Sequence, residues 1–450
     1  MPSEAPNRGV GQPHQPGVAA GLETSAAWPA PTANGPVTAK VSLPGSKSLT
    51  NRALILAALS ESPSRISAPL QARDTKLMIA ALSDLGVTIQ PDGADLMVRP
   101  GRLLGASVDC GLAGTVMRFV PPVAALASGD SLFDGDPHAR TRPMGALIDA
   151  LRQCGVHITD DGTGTLPFRV HGRGAVRGGA VELDASASSQ FVSALLLAGA
   201  RFDVGVDIRH IGKPVPSLPH IDMTVAGLRA AGVDVDDSTA DRWVVKPGTI
   251  HAPDQLVEPD LSNAAPFLAA ALVTGGSVTV PYWPEQTTQP GAALAELLAQ
   301  MGAEISRGPA GLSVTGAGGI GPLIADLHEV GELTPVLAAL CALSDGESQL
   351  TGIAHLRGHE TDRLAAIQAE LTALGGDVSQ LDDGLAIRPA PLGAGLWHAY
   401  ADHRMAQAGA VIGLAVPGVE VDDIASTTKT MADFPGLWAN MLSQAGIAVE

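Results

Sequence analysis

The sequence predicts an α/β (α+β) fold built from six copies of one supersecondary unit, grouped three to a lobe. Three observations carry that reading. A helix-closing glycine recurs six times, about 70 residues apart. Each glycine ends an amphipathic run, and upstream of it lies a second run that is apolar nearly all round. Most of the glycines are followed by a short β-branched segment and then Asp or Gly, the pattern of a strand entering a turn.

The glycines are Gly86, Gly155, Gly232, Gly302, Gly375 and Gly446, each five positions into a stretch that opens on Leu. A left-handed helix C-cap favours glycine because there is no Cβ to clash. In chain order, the apolar helices are expected to start near Ser48, Gly114, Ser188, Ser262, Glu332 and His403. Runs at 53–59, 191–197, 267–273, 336–343 and 408–415 are apolar on every face, which marks a buried helix. The amphipathic helices are expected to start near Asp74, Pro143, Pro219, Pro290, Thr361 and Phe434. Residues 242–246 and 277–281 are strand candidates. Six such units exceed one ordinary core, so two lobes follow.

Composition removes several classes of function. At 450 residues and 45% hydrophobic, the chain can bury large cores. Aromatics make up only 3%, too few for base-stacking platforms, and a net charge of −18 opposes broad contact with a phosphate backbone. No nucleic-acid partner is expected. No apolar run reaches membrane-spanning length, so no membrane partner is expected either. Cys110, Cys154 and Cys341 are too widely spaced for a disulfide framework or a zinc pattern, and a reducing cytoplasm is the expectation. Residues 1 to about 35 are rich in Pro, Gly and Ala without periodicity, and are expected to be a disordered extension or a mis-called start.

The polar residues gather at the starts of the helices. The buried helices open with Lys47, Ser48, Asn51 and Arg52; with Gly114, Thr115 and Arg118; with Ser186, Ser188, Ser189 and Gln190; with Glu258, Asp260, Ser262 and Asn263; with Glu332 and Thr334; and with Asp402, His403 and Arg404. The surface helices repeat the habit with Arg73-Asp74, Thr141-Arg142-Pro143, Ser217 to His220, His359 to Arg363, and Thr428-Lys429-Thr430. Ordinary capping accounts for Ser262, Thr334 and Asp74 taken singly. It does not account for Lys47, Arg52, Arg118, Arg142, Arg363 and Arg404. A cation at a helix N-terminus faces the positive end of the dipole, so several together imply an anion between them. If both lobes aim their helix N-termini at one cleft, an electropositive site sits inside an acidic protein and suits a small, multiply anionic ligand. Gly45-Ser-Lys47-Ser48 lacks the upstream glycine of a P-loop, and no dinucleotide turn, nucleophile elbow or zinc-protease motif is present. The phosphates are therefore expected on side chains and helix ends, with no metal and no cofactor.

These residues resemble the enolpyruvyl transferase family of 5-enolpyruvylshikimate-3-phosphate synthase (3-phosphoshikimate 1-carboxyvinyltransferase). The resemblance runs from about residue 38 to the C-terminus. It is carried by Pro44-Gly-Ser-Lys-Ser-Leu-Thr-Asn-Arg52, Ala113-Gly-Thr-Val-Met-Arg118, Arg142-Pro143, Ser186-Ala-Ser-Ser-Gln190, His359-Glu-Thr-Asp-Arg363, Asp402-His-Arg-Met405 and Lys429-Thr430. It implies two lobes, each three βαβαββ units about a pseudo-three-fold axis, with the chain crossing between them near residues 46 and 257. Residues 36–46 with 258–450 would form one lobe and 47–257 the other.

The resemblance also implies the reaction: transfer of the enolpyruvyl group of phosphoenolpyruvate to the 5-hydroxyl of shikimate 3-phosphate, by addition and then elimination of phosphate. On that reading Lys47, Gly114, Arg142, Gln190, Arg363, Arg404 and Lys429 hold phosphoenolpyruvate. Lys47, Ser48, Arg52, Ser188, Ser189, Gln190, Ser217 and Glu332 hold shikimate 3-phosphate. Glu360 is the expected proton donor to carbon, Glu332 the base near the hydroxyl, and Lys47 and Lys429 the stabilisers of developing charge. A monomer is expected, and because Gly114 is unsubstituted, phosphonate mimics such as glyphosate are expected to compete. The sequence departs from the family's pattern at Leu112, Phe119, Glu332, His220, His355 and His359. Histidine in the lysine position of the Lys-Glu-x-Asp-Arg pattern makes a pH-dependent contact the expectation. Two alternatives stand beside this reading. UDP-N-acetylglucosamine enolpyruvyl transferase commonly carries a reactive cysteine where Pro137 stands here. A non-catalytic anion-binding protein on the same scaffold could lose Glu360 or Lys429, and both are present.

Overall fold

The computed structural model describes residues 26–447. Its helices are α1 (Lys47–Leu59), α2 (Arg73–Asp84), α3 (Gly114–Ala125), α4 (Gly145–Gln153), α5 (Gln190–Gly199), α6 (Pro219–Ala230), α7 (Ala265–Thr274), α8 (Leu294–Gln300), α9 (Thr334–Ala342), α10 (Arg363–Ala373), α11 (His403–Ala415) and α12 (Phe434–Gln444). The odd-numbered helices are the apolar runs and are mostly or wholly buried; the even-numbered ones bury one face. Two helices are preceded by a tighter turn. Pro290–Ala293 forms a 3-10 turn ahead of α8, and Gly331–Leu333 forms one ahead of α9.

All six repeat glycines close their helices in the left-handed region, with φ of +103° at Gly86, +90° at Gly155, +79° at Gly232, +98° at Gly302, +100° at Gly375 and +74° at Gly446. In five of the six, the next residue's N–H also reaches back across the cap. Val87 donates to the Leu82 carbonyl at 3.0 Å, and Val156, Val233, Gly376 and Ile447 repeat that bond. These are Schellman caps, which satisfy carbonyls that the helix end would otherwise strand.

Each helix pair shares one sheet. In the second unit Ser107–Asp109 runs parallel to Ser128–Asp134, which pairs antiparallel with Phe168–Arg173, itself antiparallel to His157–Thr159. With α3 and α4 between the strands, the chain order is βαβαββ. The third and fifth units repeat this sheet order from their own segments. The first and fourth exchange their opening strands. Gln255–Leu256 lies parallel to Ser64–Ser67, and Thr38–Lys40 lies parallel to Ser277–Val280. The two segments that make this exchange run side by side, Ser46 N–H donating to the Glu258 carbonyl at 2.8 Å and Asp260 N–H to the Pro44 carbonyl at 2.9 Å. Buried apolar residues gather in two clusters, one within residues 53–257 and one combining 30–41 with 261–447.

The N-terminal expectation needs correcting for residues 26–35; residues 1–25 lie outside the described residues. Trp28–Pro29 is a strand, antiparallel to Val419–Val421, which lies between it and the parallel Gly395–Trp397 in the sixth sheet. The sixth unit has no hairpin after α12 among the described residues, so the N-terminal segment supplies its third strand. Ala30 is buried against Gly413 of α11, where a Cβ would stand 2.4 Å from the Ala30 Cβ. A proline is tolerated there because the strand lies at the sheet edge. No helix among the described residues is long and apolar enough to cross a membrane.

Candidate active site

Helix starts from both clusters face one cleft. The cap chemistry of α1 explains its cation: Ser46 Oγ accepts from Leu49 N–H, so Lys47, the first helical residue, is free to project. The Lys47 N–H itself donates to Asp260 Oδ2 at 3.1 Å, and its Nζ lies 3.6 Å from Asp74 Oδ2. By contrast, α3 and α5 start at Gly114 and Gln190 with no side-chain cap. At α5 the Gln190 N–H donates to Ser188 Oγ at 3.2 Å and the Phe191 N–H to the Ser188 carbonyl at 3.3 Å, so of the two it is the start of α3 that is open to an anion.

The cleft wall brings together Lys47, Gly114, Arg142, Ser188, Gln190, Glu332, Glu360 and Arg363, and it continues past Ser48, Arg52, Ser189 and Ser217. Arg404 and Lys429 stand one layer behind, holding Glu332 and Glu360 respectively. The expected site residues therefore form one contiguous set. Arg118, one of the helix-start cations that imply an anion, lines the cleft as well. Thr115, His220, His355, His359 and His403 line it too, with no ligand role assigned to them from the sequence.

Both acidic groups are held by cations, Glu360 buried between two of them and the half-buried Glu332 more loosely. Glu360 accepts from Lys429 Nζ at 2.5 Å and from Arg363 Nη2 at 3.1 Å. Burial works to raise its pKa, but Lys429 and Arg363, with Arg142 and His403, outweigh it and hold the carboxyl well below the usual range. Glu332 lies 3.5 Å from Arg404 Nη2. There too burial is overcome, by Arg404 first and then His220, Lys47 and Arg363, and the carboxyl falls to about 2. Arg363 is fixed by Asp402, which accepts from Nε at 2.7 Å and Nη2 at 3.2 Å. Arg404 is fixed by the Ser262 carbonyl at 2.9 Å and Asn263 Oδ1 at 3.0 Å.

On the other wall Lys47 has Asp74 at 3.6 Å, while Arg52, Arg118 and Arg142 have no acidic group within ion-pair distance among the described residues. Arg52 binds Thr224 Oγ1, the Ser48 carbonyl and the His220 carbonyl, and burial pulls its pKa down to about 9. Burial, with Arg142 alongside, drives Arg118 well below its ordinary value. Its Nε, the Nε of Arg142 and the Oε1 of Gln190 are buried without partners. The two guanidinium donors in this state gain from an incoming anion, and the Gln190 oxygen from an incoming hydroxyl. A Cβ placed on Gly114 would stand 3.1 Å from Arg118 Nη1 and 3.2 Å from Arg142 Nη1, so the glycine keeps this end of the cleft open.

The histidines correct one expectation. His359 does not sit near neutrality: burial, and then Arg363, whose Nη1 is 3.4 Å from His359 Nδ1, drive it well below 6.5. Burial likewise brings His220 and His355 to about 4. His355 bridges two others, its ring 5.8 Å from His328 and 5.7 Å from His359. Cys110, Cys154 and Cys341 are free and buried, and burial pushes their thiols up to about 12, 12 and 11. None of the three is among the residues lining the cleft. Among the described residues no cluster of His, Cys, Asp and Glu is arranged to hold a metal ion.

The chain is similar to known proteins along most of its length. The family model described as EPSP synthase (3-phosphoshikimate 1-carboxyvinyltransferase) matches residues 31–438. A 3-phosphoshikimate 1-carboxyvinyltransferase of Kocuria rhizophila is 54% identical over 432 residues, covering 93% of this chain and 97% of its own. Among solved structures, EPSP synthase from Acinetobacter baumannii superposes with a TM-score of 0.76 at 23% identity, covering 94% of this chain and 99% of that one. The enolpyruvyl transferase NikO from Streptomyces tendae superposes with a TM-score of 0.72 at 18% identity, covering 92% and 98%. These two likenesses speak to the two-lobed fold.

Proposed function

The chain belongs to the EPSP synthase (3-phosphoshikimate 1-carboxyvinyltransferase) family, and on that premise we propose how its cleft carries out the reaction. The enzyme transfers the enolpyruvyl group of phosphoenolpyruvate to the 5-hydroxyl of shikimate 3-phosphate, releasing inorganic phosphate. The observation that carries the assignment of the site is the placement of two cation-held carboxylates, Glu332 and Glu360, on one wall of a cleft whose other wall carries under-compensated cations.

Phosphoenolpyruvate brings a phosphate and a carboxylate, which we assign to Lys47, Arg142, Gln190, Arg363, Arg404 and Lys429 and to the open face of Gly114. The shikimate phosphate goes to Lys47, Ser48, Arg52, Ser188, Ser189, Gln190 and Ser217. Addition delivers a proton to the methylene carbon, joins the 5-oxygen to the adjacent carbon and takes the hydroxyl proton away. Elimination removes a methyl proton and expels phosphate, so the two proton-transfer roles reverse. Glu360 serves the carbon and Glu332 the hydroxyl, with Lys47 and Lys429 steadying the charge that develops.

Both carboxylates are ionised before substrate arrives, which suits Glu332 as a base and not Glu360 as an acid. Substrate binding supplies the difference. As the anionic groups of phosphoenolpyruvate engage Lys429, Arg363 and Arg142, the field that holds Glu360 down weakens and its proton affinity rises. The same engagement of Arg404 raises the basicity of Glu332. We read residues 36–46 with 258–450 as one lobe and 47–257 as the other, a division supported by the two apolar clusters. We also read the protein as a cytoplasmic monomer, since one chain supplies every residue assigned here and its three thiols are unpaired.

Phosphate release from phosphoenolpyruvate is the direct test, with shikimate 3-phosphate or UDP-N-acetylglucosamine as acceptor. Release with shikimate 3-phosphate alone is expected. Release with the nucleotide sugar alone would assign the cleft to the sister reaction, and tight binding without turnover would make it a non-catalytic site.

A further inference from the structure

Two adjacent non-glycine residues, Tyr400 and Ala401, sit in the left-handed region with φ of +55° and +54°. They are the centre of a turn closed by Asp402 N–H donating to the Ala399 carbonyl at 2.9 Å. A turn with both central residues at positive φ favours Asn and Gly, and here it is built from Tyr and Ala. Such strain persists only where the surroundings over-determine it. The next residue is Asp402, whose Oδ1 caps the Arg404 N–H at 2.9 Å while its carboxylate grips Arg363.

Two carboxylates restrain this turn: Asp422 Oδ1 accepts from the Ala399 N–H at 2.8 Å, and Glu370 holds the residues on either side of Ala399. The Glu370 side chain is 4% exposed. Oε1 accepts from the Tyr400 hydroxyl at 2.5 Å, and Oε2 accepts from the His398 N–H at 2.8 Å and lies 3.1 Å from His398 Nδ1. Burial, then the Glu370 bond, pushes the Tyr400 hydroxyl up to about 12, which keeps it a donor. Glu370 lies on α10, two turns beyond Arg363 and on the same face of the helix. The turn is thus fastened to α10 at two points: Asp402 to Arg363 at the cleft end, and Tyr400 and His398 to Glu370 about 10 Å further along.

We propose that Glu370 is a positioning residue for phosphoenolpyruvate binding, holding the left-handed Tyr400–Ala401 turn so that Asp402 and Arg404 arrive in register with Arg363. Glu370 does not line the cleft and acts only through this turn. The inference rests on the assignment of Arg363 and Arg404 to phosphoenolpyruvate.

The test compares the parent with Glu370→Ala, Tyr400→Phe, Ala401→Gly and the double variant Glu370→Ala/Ala401→Gly. Glu370→Ala is expected to raise KM for phosphoenolpyruvate about tenfold or more while KM for shikimate 3-phosphate moves less than about twofold. Tyr400→Phe, which removes one hydrogen bond and no charge, is expected to shift the same constant in the same direction by a smaller factor. In the double variant, glycine adopts the turn without the clamp, and most of the parental KM is expected to return. A Glu370→Ala protein with a lower melting temperature but parental KM for phosphoenolpyruvate would overturn the proposal, as would failure of Ala401→Gly to restore it. If Glu370→Ala does not fold, the Tyr400→Phe constant decides, and a parental value overturns the proposal. If the parent itself shows no turnover, the reaction assignment fails instead. Amide exchange across residues 399–404 then reads the clamp, and unchanged protection in Tyr400→Phe overturns it.

Discussion

Glu360 carries the heaviest demand placed on any single residue here, because a carboxylate clasped by Lys429 and Arg363 must act as an acid. Glu360→Gln is expected to fold normally and to lose about 10²- to 10⁴-fold in kcat, the range of general acid–base catalysis. Near-parental turnover in that variant would remove Glu360 from the proton path. Gly114→Ala places a methyl against two guanidinium groups, within 3.1–3.3 Å, and each must give way by a few tenths of an ångström. Its KM for phosphoenolpyruvate is expected to rise several-fold, and inhibition by a phosphonate mimic such as glyphosate to weaken more than substrate binding does. Equal inhibition of parent and variant would refute this. These residues were legible because short motifs name them. Glu370 was not legible, since it acts on a turn whose approach only the fold reveals.

At the scale of the element, the closing glycines separate backbone strain from crowding. A Cβ on Gly302 would meet no atom closer than 3.7 Å, so Gly302→Ala carries only the cost of its left-handed φ, about 1–2 kcal/mol. At Gly86 the Cβ would also stand 2.5 Å from the Arg102 carbonyl oxygen. Urea midpoints should therefore fall further for Gly86→Ala than for Gly302→Ala, with KM values unchanged in the milder variant. Helix order and helix starts were readable because apolar run, capping glycine and first-turn polarity are all local. The strands were less so. Thr38–Lys40 and Gln255–Leu256 are two or three residues long, and nothing in them states that each serves the other segment's sheet. Trp28–Pro29 gave no signal at all, because an edge strand of two residues shows no alternation.

At the scale of the molecule, charge is the organising quantity. An acidic protein of net charge −18 encloses a cationic cleft, so long-range attraction of the substrates is local to that cleft and sensitive to salt. Raising ionic strength from 0.1 M to 1 M shortens the screening length from about 10 Å to about 3 Å, and kcat/KM for phosphoenolpyruvate is expected to fall across that range. Stability should follow pH in two steps. His220 and His355, held neutral with pKa about 4 against an ordinary 6.5, contribute fully above pH 6.5, and that stability is lost as pH falls toward 4. Glu332, depressed to about 2 from 4.5, contributes fully above pH 4.5 and loses that contribution as pH falls toward 2. Melting temperatures from pH 7 to 4 should decline, and less steeply in His355→Asn; an unchanged slope would clear His355 of the effect. The sequence by itself determined the repeat, the helices, the family motifs and the excess of cations at helix starts, because each is written in contiguous residues or in their period. Only the tertiary structure decided which cation each acid meets, that burial lowers the pKa of His220, His355 and His359, and that a strained turn is fastened to α10, because those depend on distances and burial between segments far apart in the chain.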